Sequence, residues 1–428
     1  MSTNENKDKK AEVTALQAIS AEDRKDWISL AFVQAGICVC VPAFLLGALL
    51  AEAMPIWPAI ISGSLGYLIV VVGMVATGMI GCDLGLASCT CCQAGFGKSG
   101  ARFIVSTIFA VNMIGWFGIQ NGVCGEAFSN AMLAMTGWDI PVVVSNTIWG
   151  IIMLLTAVYG VHALEKLDKI SIPLLMIIMC YGTFLAFKVY GTGNLNDEGT
   201  VQSMSFMSGV ALSFNFTAVG TITGPDYTRF QKSRKDTVKS VFYGVFPMGV
   251  ITLIMGIVLT KLSGQYDISM VLIEVGLPLL GIIALVISTW TTNSTNAYSA
   301  GLNIVMALKL KDNRRREATL ISGIVGIVLC DLGILGHVEG VLSLLSYVVC
   351  PVGGVILADY WVVGKGKAKN FRPQDGVNWA GVIAWALGAI ISYTLVKIEF
   401  VGIIIGFVGA FRGAASGGLG EVRLHRHP

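Results

Sequence analysis

Between Ile287 and Asn303 the chain reads ISTWTTNSTNAYSAGLN, directly after the apolar run LPLLGIIALV. On a helix, Ser288, Thr291, Thr292, Thr295 and Ser299 stand at i, i+3, i+4, i+7 and i+11, which places them on one face. A single hydroxyl in an apolar helix can bond its own preceding turn. Five on one face, joined by Asn293 and Asn296, would leave polar groups unsatisfied in hydrocarbon at several kcal/mol each. They must face protein or water. Neutral oxygens of this kind suit a hard cation such as Na⁺. The hydroxyls of Thr291 and Thr292 with the Ser288 carbonyl offer three ligands, and backbone carbonyls near Gly36 and Val39 offer two more. A proton relay would be expected to show an intramembrane carboxylate. Asp226, Glu274 and Asp331 fall towards the ends of apolar runs, which favours Na⁺ over H⁺.

A second constellation lies in AVNMIGWFGIQNG, where Asn112, Trp116 and Gln120 are spaced four apart. One helical face then carries an indole flanked by two amides. An indole is a flat stacking surface with a donor at its edge, and stacking a base on an aromatic ring contributes about 1–3 kcal/mol. Phe216, next to Asn215, could close from the other side. Two rings with amides at the rim suit a planar, uncharged heteroaromatic ligand. Ordinary helix packing is the competing account of Trp116, and residue types alone do not exclude an amino-acid ligand.

These residues sit in a chain of 428 residues that is 54% hydrophobic and only 13% charged. Soluble domains carry about a quarter charged residues, so the deficit implies a polytopic membrane protein. The net charge of +3 implies no nucleic-acid partner. Apolar segments long enough to span fall near 27–50, 57–81, 103–128, 141–163, 168–190, 203–223, 238–262, 276–305, 319–336, 339–363 and 378–397. A twelfth, EFVGIIIGFVGAFRG, is short and runs into AASGGLGEVRLHRHP, which resembles no membrane segment. With the N-terminus inside, the cytoplasmic segments hold Lys7, Lys9, Lys10, Arg24, Lys25, Lys98, Arg102, Lys166, Lys169, Arg229, Lys232, Arg234, Lys235 and Lys239. Lys309, Lys311, Arg314, Arg315, Arg316, Lys365, Lys367, Lys369 and Arg372 follow on the same side, leaving only Lys188, Lys261 and Lys397 outside.

Two spans look interrupted. The first carries Gly36 and Pro42 near its middle; the sixth carries Asn215, Gly220, Gly224 and Pro225. Irregular backbone at membrane depth is tolerated only beside protein or a cavity. Broken segments five spans apart point to a five-plus-five inverted repeat, although glycine and proline are also common in membrane helices for packing. The divisions that follow are a cytoplasmic tail (1–26), a first repeat (27–190), a second repeat (203–363), two further helices (378–411, the last incomplete) and an atypical tail (412–428).

Other signals carry less. Cys89, Cys91 and Cys92 in CDLGLASCTCCQAGFGKSG are too tightly spaced for a paired zinc site, so the stretch reads as a cytoplasmic loop. His162 and His337 lie at span ends. With no nucleophile–base set and no phosphate-binding loop, neither an enzyme nor an ATP-driven pump is expected.

GWFG on the third span, DYTRF after the sixth, WTTN and YSAGL on the eighth and PVGGVILADY on the tenth together resemble the nucleobase–cation symporter family, nearest its bacterial cytosine permeases. The likeness runs from about Trp27 to Tyr393. It implies an all-α LeuT-like fold of about twelve helices and inward transport of a nucleobase, cytosine above all, with Na⁺ as coupling ion and no other cofactor. It also implies a multi-pass protein of the bacterial inner membrane, monomeric or weakly oligomeric. Trp116 matches the family's stacking tryptophan and Phe216 its sixth-span aromatic. Gly36, Val39, Ser288, Thr291 and Thr292 match sodium ligands, and Asn293 and Asn296 match substrate-side asparagines. Two departures bear on the ring: Met113 stands where cytosine permeases have glutamine, and Gln120 resembles the hydantoin-transporter arrangement. Permeases for hydantoins, purines or hydroxymethylpyrimidine, H⁺ coupling, or a LeuT-fold sensor that does not transport are the alternatives.

Overall fold

The computed structural model describes residues 18–159, 161–196, 204–265, 267–395 and 400–424. Lys7, Lys9, Lys10 and Lys397 lie outside them, as do the side chains of His162, Lys166 and Lys169. The first span consists of α1 (Trp27–Cys38) and α2 (Val41–Ala53), which meet at a 54° bend. Then come α3 (Ile56–Leu84), the short α4 (Ser88–Cys91) and α5 (Gln93–Gly100), and α6 (Ser106–Thr136), joined to α5 by a π-helical turn. They are followed by α7 (Val142–Tyr159), α8 (Val161–Tyr190), α9 (Phe206–Thr217), α10 (Gly220–Thr228) and α11 (Arg234–Ser263). The chain continues through α12 (Ile268–Glu274), α13 (Pro278–Leu308), α14 (Arg315–Asp331), α15 (Val338–Leu357), α16 (Trp379–Thr394) and α17 (Phe400–Leu424). Among the described residues six helices are long and apolar enough to cross a membrane, and the bent pair makes a seventh. The remaining expected spans, α7, α13, α14, α16 and α17, are helices that are shorter or more polar.

The helices sort into two packed groups. In one, α11 packs on α1, α2 and α3, and α3 packs on α9 and α10. In the other, α6 packs on α13, α14 and α7, and α14 packs on α7 and α13. Numbered by span, the first group holds one, two, six and seven, and the second holds three, four, eight and nine. Equivalent members of each five therefore occupy the same group, as the inverted repeat requires. The α8 helix leans on α13, while α16 and α17 pack on α15 outside the repeats.

Small residues set the helix spacing within the first group. A Cβ on Gly81 of α3 would lie 2.4 Å from Cα of Pro225. The Ser213 hydroxyl donates to the Gly63 carbonyl at 2.6 Å, and Thr228 donates to Gly78 at 2.7 Å. Basic residues gather at one end of the molecule. Arg24 donates to the Cys82 and Gln231 carbonyls, Arg234 pairs with Asp83, and Lys98 pairs with Asp375 at 2.7 Å.

Three expectations need correction. The sixth span is only shallowly interrupted, at Ala218 and Val219, and both keep helical dihedrals. Pro225 removes the donor that the Thr221 carbonyl would use, but the Thr77 hydroxyl of α3 donates to that carbonyl at 2.8 Å. A neighbouring helix thus supplies the missing bond, and α10 runs through its proline. The stretch from Cys82 to Gly100 is not a surface loop. It folds as α4 and α5, with Cys89, Cys91, Cys92 and Phe96 in a buried cluster with α15. The last helix does not stop near Phe411 but continues to Leu424. Its small residues allow contact with α16, where a Cβ on Gly413 would lie 3.0 Å from Cβ of Ala384.

Candidate functional site

The α6 helix positions Trp116 with Asn112 one turn before it and Gln120 one turn after it. All three are buried, with Trp116 8% exposed and both amides 3%. Phe216 enters from α9 and is 5% exposed. The indole and phenyl centroids lie 6.0 Å apart with their planes at 66°. This is an edge-to-face contact. A ring sandwiched between them needs about 3.5–4.0 Å on each side, so the expected slot is closed and the two side chains touch each other instead. Leu46 and Leu50 of α2 and Val338 and Leu342 of α15 complete the same cluster.

On the two helices that carry this pair, buried polar atoms lack partners. Asn112 Oδ1, Gln120 Oε1 and Asn215 Oδ1 are all buried without a hydrogen bond. Leaving such a group unpaired costs about 1–3 kcal/mol. Asn215 is partly satisfied, because its Nδ2 donates to Ser343 Oγ on α15 at 3.1 Å. Sequence reasoning missed Ser343, although Glu339 four residues before it and Ser346 three after it put polar groups on the same helical face.

The two α13 asparagines behave differently. Asn293 is fully buried, and its Nδ2 donates to the Phe117 carbonyl at 3.1 Å. Its amide therefore braces α13 against α6 beside Trp116. Asn296 donates to Asn293 Oδ1 at 3.4 Å and remains half-buried.

The hydroxyl stripe is also present, and in this structure the hydroxyls of Ser288, Thr291, Thr292 and Thr295 bond their own helix. Ser288 donates to Leu285, and Thr295 donates to Thr291. Thr291 and Thr292 both donate to the Ser288 carbonyl, at 3.0 and 3.1 Å. Burial falls along the stripe. Ser288 and Thr291 are buried, Thr292 and Ser299 half-buried, and Thr295 exposed. Opposite, the break after α1 falls at Val39 (φ −91°, ψ 75°) and Cys40 (φ −142°, ψ 159°). Such a break leaves the last-turn carbonyls, including that of Gly36, without helical partners. Val39 shares a buried cluster with Ala284, one turn before Ser288. The break and the stripe are thus neighbours across the two groups.

The carboxylates named in the sequence lie away from the ring pair. Asp226 accepts from the Ser88 backbone N–H at 2.8 Å, and Asp331 accepts from Asn146 at 3.2 Å. Among the described residues no three His, Cys, Asp or Glu side chains come together as a metal set. Burial pushes the Cys89 thiol up to about 12, against an opposing hydrogen bond with Ser106. It is a neutral packing group rather than a thiolate.

Comparison with known proteins agrees with this geometry. Residues 19–419 match a family described as permease for cytosine/purines, uracil, thiamine, allantoin. Cytosine permease of Escherichia coli K12 is 29% identical over 389 residues, 90% of this chain and 89% of that protein. Hydantoin permease of Microbacterium maritypicum is 20% identical over 405 residues, 87% and 82% of the two chains. Among solved structures, Mhp1 in an inward-facing conformation superposes with a TM-score of 0.81 at 18% identity, covering 95% of this chain and 93% of that one. A Na⁺-coupled sialic acid symporter superposes at 0.65 with 14% identity, covering 92% and 89%. The fold is therefore LeuT-like, and the chain is a multi-pass membrane transporter of nucleobase type rather than an enzyme. With the family match running from residue 19 to residue 419, the chain belongs to the permeases for cytosine/purines, uracil, thiamine and allantoin.

Proposed function

We propose that the protein imports a nucleobase, cytosine before other rings, together with Na⁺. Its main support is the arrangement at Trp116, where the two helices that supply an aromatic pair also carry three buried amide oxygens without partners. A planar heterocycle answers both features, since it stacks on a ring face and pairs amides with its edge. The ring parts Trp116 from Phe216 and meets Asn112, Gln120 and Asn215, with Asn296 within reach of α13's exposed side. The higher identity to cytosine permease (29%) than to the hydantoin permease (20%) favours cytosine. Na⁺ binds where Gly36 and Val39 approach α13, taking oxygens of Ser288, Thr291 and Thr292 in place of their present intrahelical bonds. The chain lies in the plasma membrane of a bacterial cell with its N-terminus in the cytoplasm, a reading supported by the bias of lysine and arginine towards the segments on that side.

Thermal unfolding of the purified protein with a panel of rings, with and without Na⁺, tests the reading. A ligand at a hundredfold its Kd stabilises the folded state by about 2.7 kcal/mol. Cytosine should raise the melting temperature more in Na⁺ than in K⁺, and proteoliposomes should accumulate it along a Na⁺ gradient. Stabilisation by hydroxymethylpyrimidine or a hydantoin alone would remove cytosine. Uptake driven by a pH gradient without Na⁺ would remove the sodium.

A further inference from the structure

Asn215 and Ser343 form a polar contact between α9 and α15. Asn215 is 8% exposed and precedes Phe216; Ser343 follows Leu342; and both neighbours belong to the cluster that holds Trp116. The Asn215 Nδ2 donates to Ser343 Oγ at 3.1 Å, while Asn215 Oδ1 has no partner. An asparagine amide can present a donor or an acceptor. Here one of its two amide N–H groups is engaged by α15, and its acceptor end is buried and unused.

We infer that Ser343 is a positioning residue that sets which ring edge the site accepts. By holding the amide nitrogen at α15, it leaves the carbonyl oxygen as the unpaired end of Asn215. That oxygen pairs with an exocyclic amine and faces an exocyclic carbonyl with like polarity. The pair therefore selects rings with an exocyclic amine, such as cytosine and adenine, over rings with a carbonyl in its place, such as uracil and hypoxanthine. A site built around a fixed hydrogen bond rejects the mismatched analogue because a buried polar group is left unpaired. This inference rests on the transport reading above and specifies its substrate class.

The test is displacement of tritiated cytosine from the purified full chain by cytosine, adenine, uracil and hypoxanthine, read as the ratio of inhibition constants between the two classes. Ser343→Ala should lower the preference for amines about fivefold, and Ser343→Thr, which keeps the hydroxyl, should retain it. Asn215→Asp offers only acceptors, so it should keep the preference, and adding Ser343→Ala to it should change nothing further. An unchanged ratio in Ser343→Ala, or an equal fall in the Asn215→Asp background, overturns the inference. Should Ser343→Ala fail to fold, Ser343→Cys, which keeps the side chain's size but bonds the amide only weakly, decides: a reduced preference supports the role and a full one overturns it. Wild-type protein that binds none of the four rings overturns the transport reading, and this inference falls with it.

Discussion

Replacing Trp116 with leucine gives the sharpest test of the ring site. A base stacked on the indole gains about 1–3 kcal/mol. In this structure the indole already touches Phe216 edge-on at 6.0 Å, and such a pair contributes about 0.5–1.5 kcal/mol beyond its burial. A ligand that parts the two rings gives up that contact before it gains the stack. The net advantage of tryptophan is then about 1 kcal/mol, so Trp116→Leu should weaken cytosine binding roughly fivefold. Trp116→Phe keeps a flat face and should bind more nearly as wild type does. Equilibrium binding of labelled cytosine to purified protein measures both, and the ligand-free melting temperature reports any cavity left by the smaller side chain. A leucine variant that binds as tightly as wild type would show that the ring does not stack on Trp116.

Two further outcomes follow from the same geometry. Thr77→Val removes the only described donor to the carbonyl that Pro225 frees at Thr221, so it should destabilise the protein by about 1–3 kcal/mol. Its melting temperature should fall while that of Thr77→Ser does not, and equal melting of all three would refute the role. Thr292→Ala leaves the fold intact because its hydroxyl only shares the Ser288 carbonyl with Thr291. It should nevertheless abolish the difference between Na⁺ and K⁺ in cytosine binding, and persistence of that difference would place the ion elsewhere.

Much of the fold could be read from local pattern. Apolar runs located the spans, and Gly36 with Pro42 bracketed the break that occurs at Val39 and Cys40. The reading failed where a distant helix decides the local outcome. Pro225 signals an interruption, yet the bond that cancels it comes from Thr77, 144 residues earlier. The last helix reads as too polar beyond Phe411, yet small residues suffice when another helix lies against them. The site divides in the same way. Spacing alone put Asn112, Trp116 and Gln120 on one face, and that face is buried beside Phe216. Spacing could not reveal that Asn293 turns towards Phe117 or that Ser343 reaches Asn215 across 128 residues. Side-chain direction on a helix depends on its neighbours, and a single sequence does not contain them as pattern.

The placement of the paired residues explains why ring and ion could act together. Trp116 belongs to α6 and Phe216 to α9, so the aromatic contact crosses from one packed group to the other. The proposed sodium ligands cross the same seam, with Val39 at the end of α1 and Ser288 on α13, a turn from the Ala284 it is clustered with. A ligand held from both sides of a seam stabilises the arrangement in which those sides are correctly spaced. Ring and ion would then favour one relative position of the two groups, so each would tighten the other's binding by the same factor. Coupling of this kind needs no contact between ring and ion. It needs only that each group be rigid, and the close packing of small residues between α3 and α10, with the Asn293 brace from α13 to α6, supplies that rigidity on both sides.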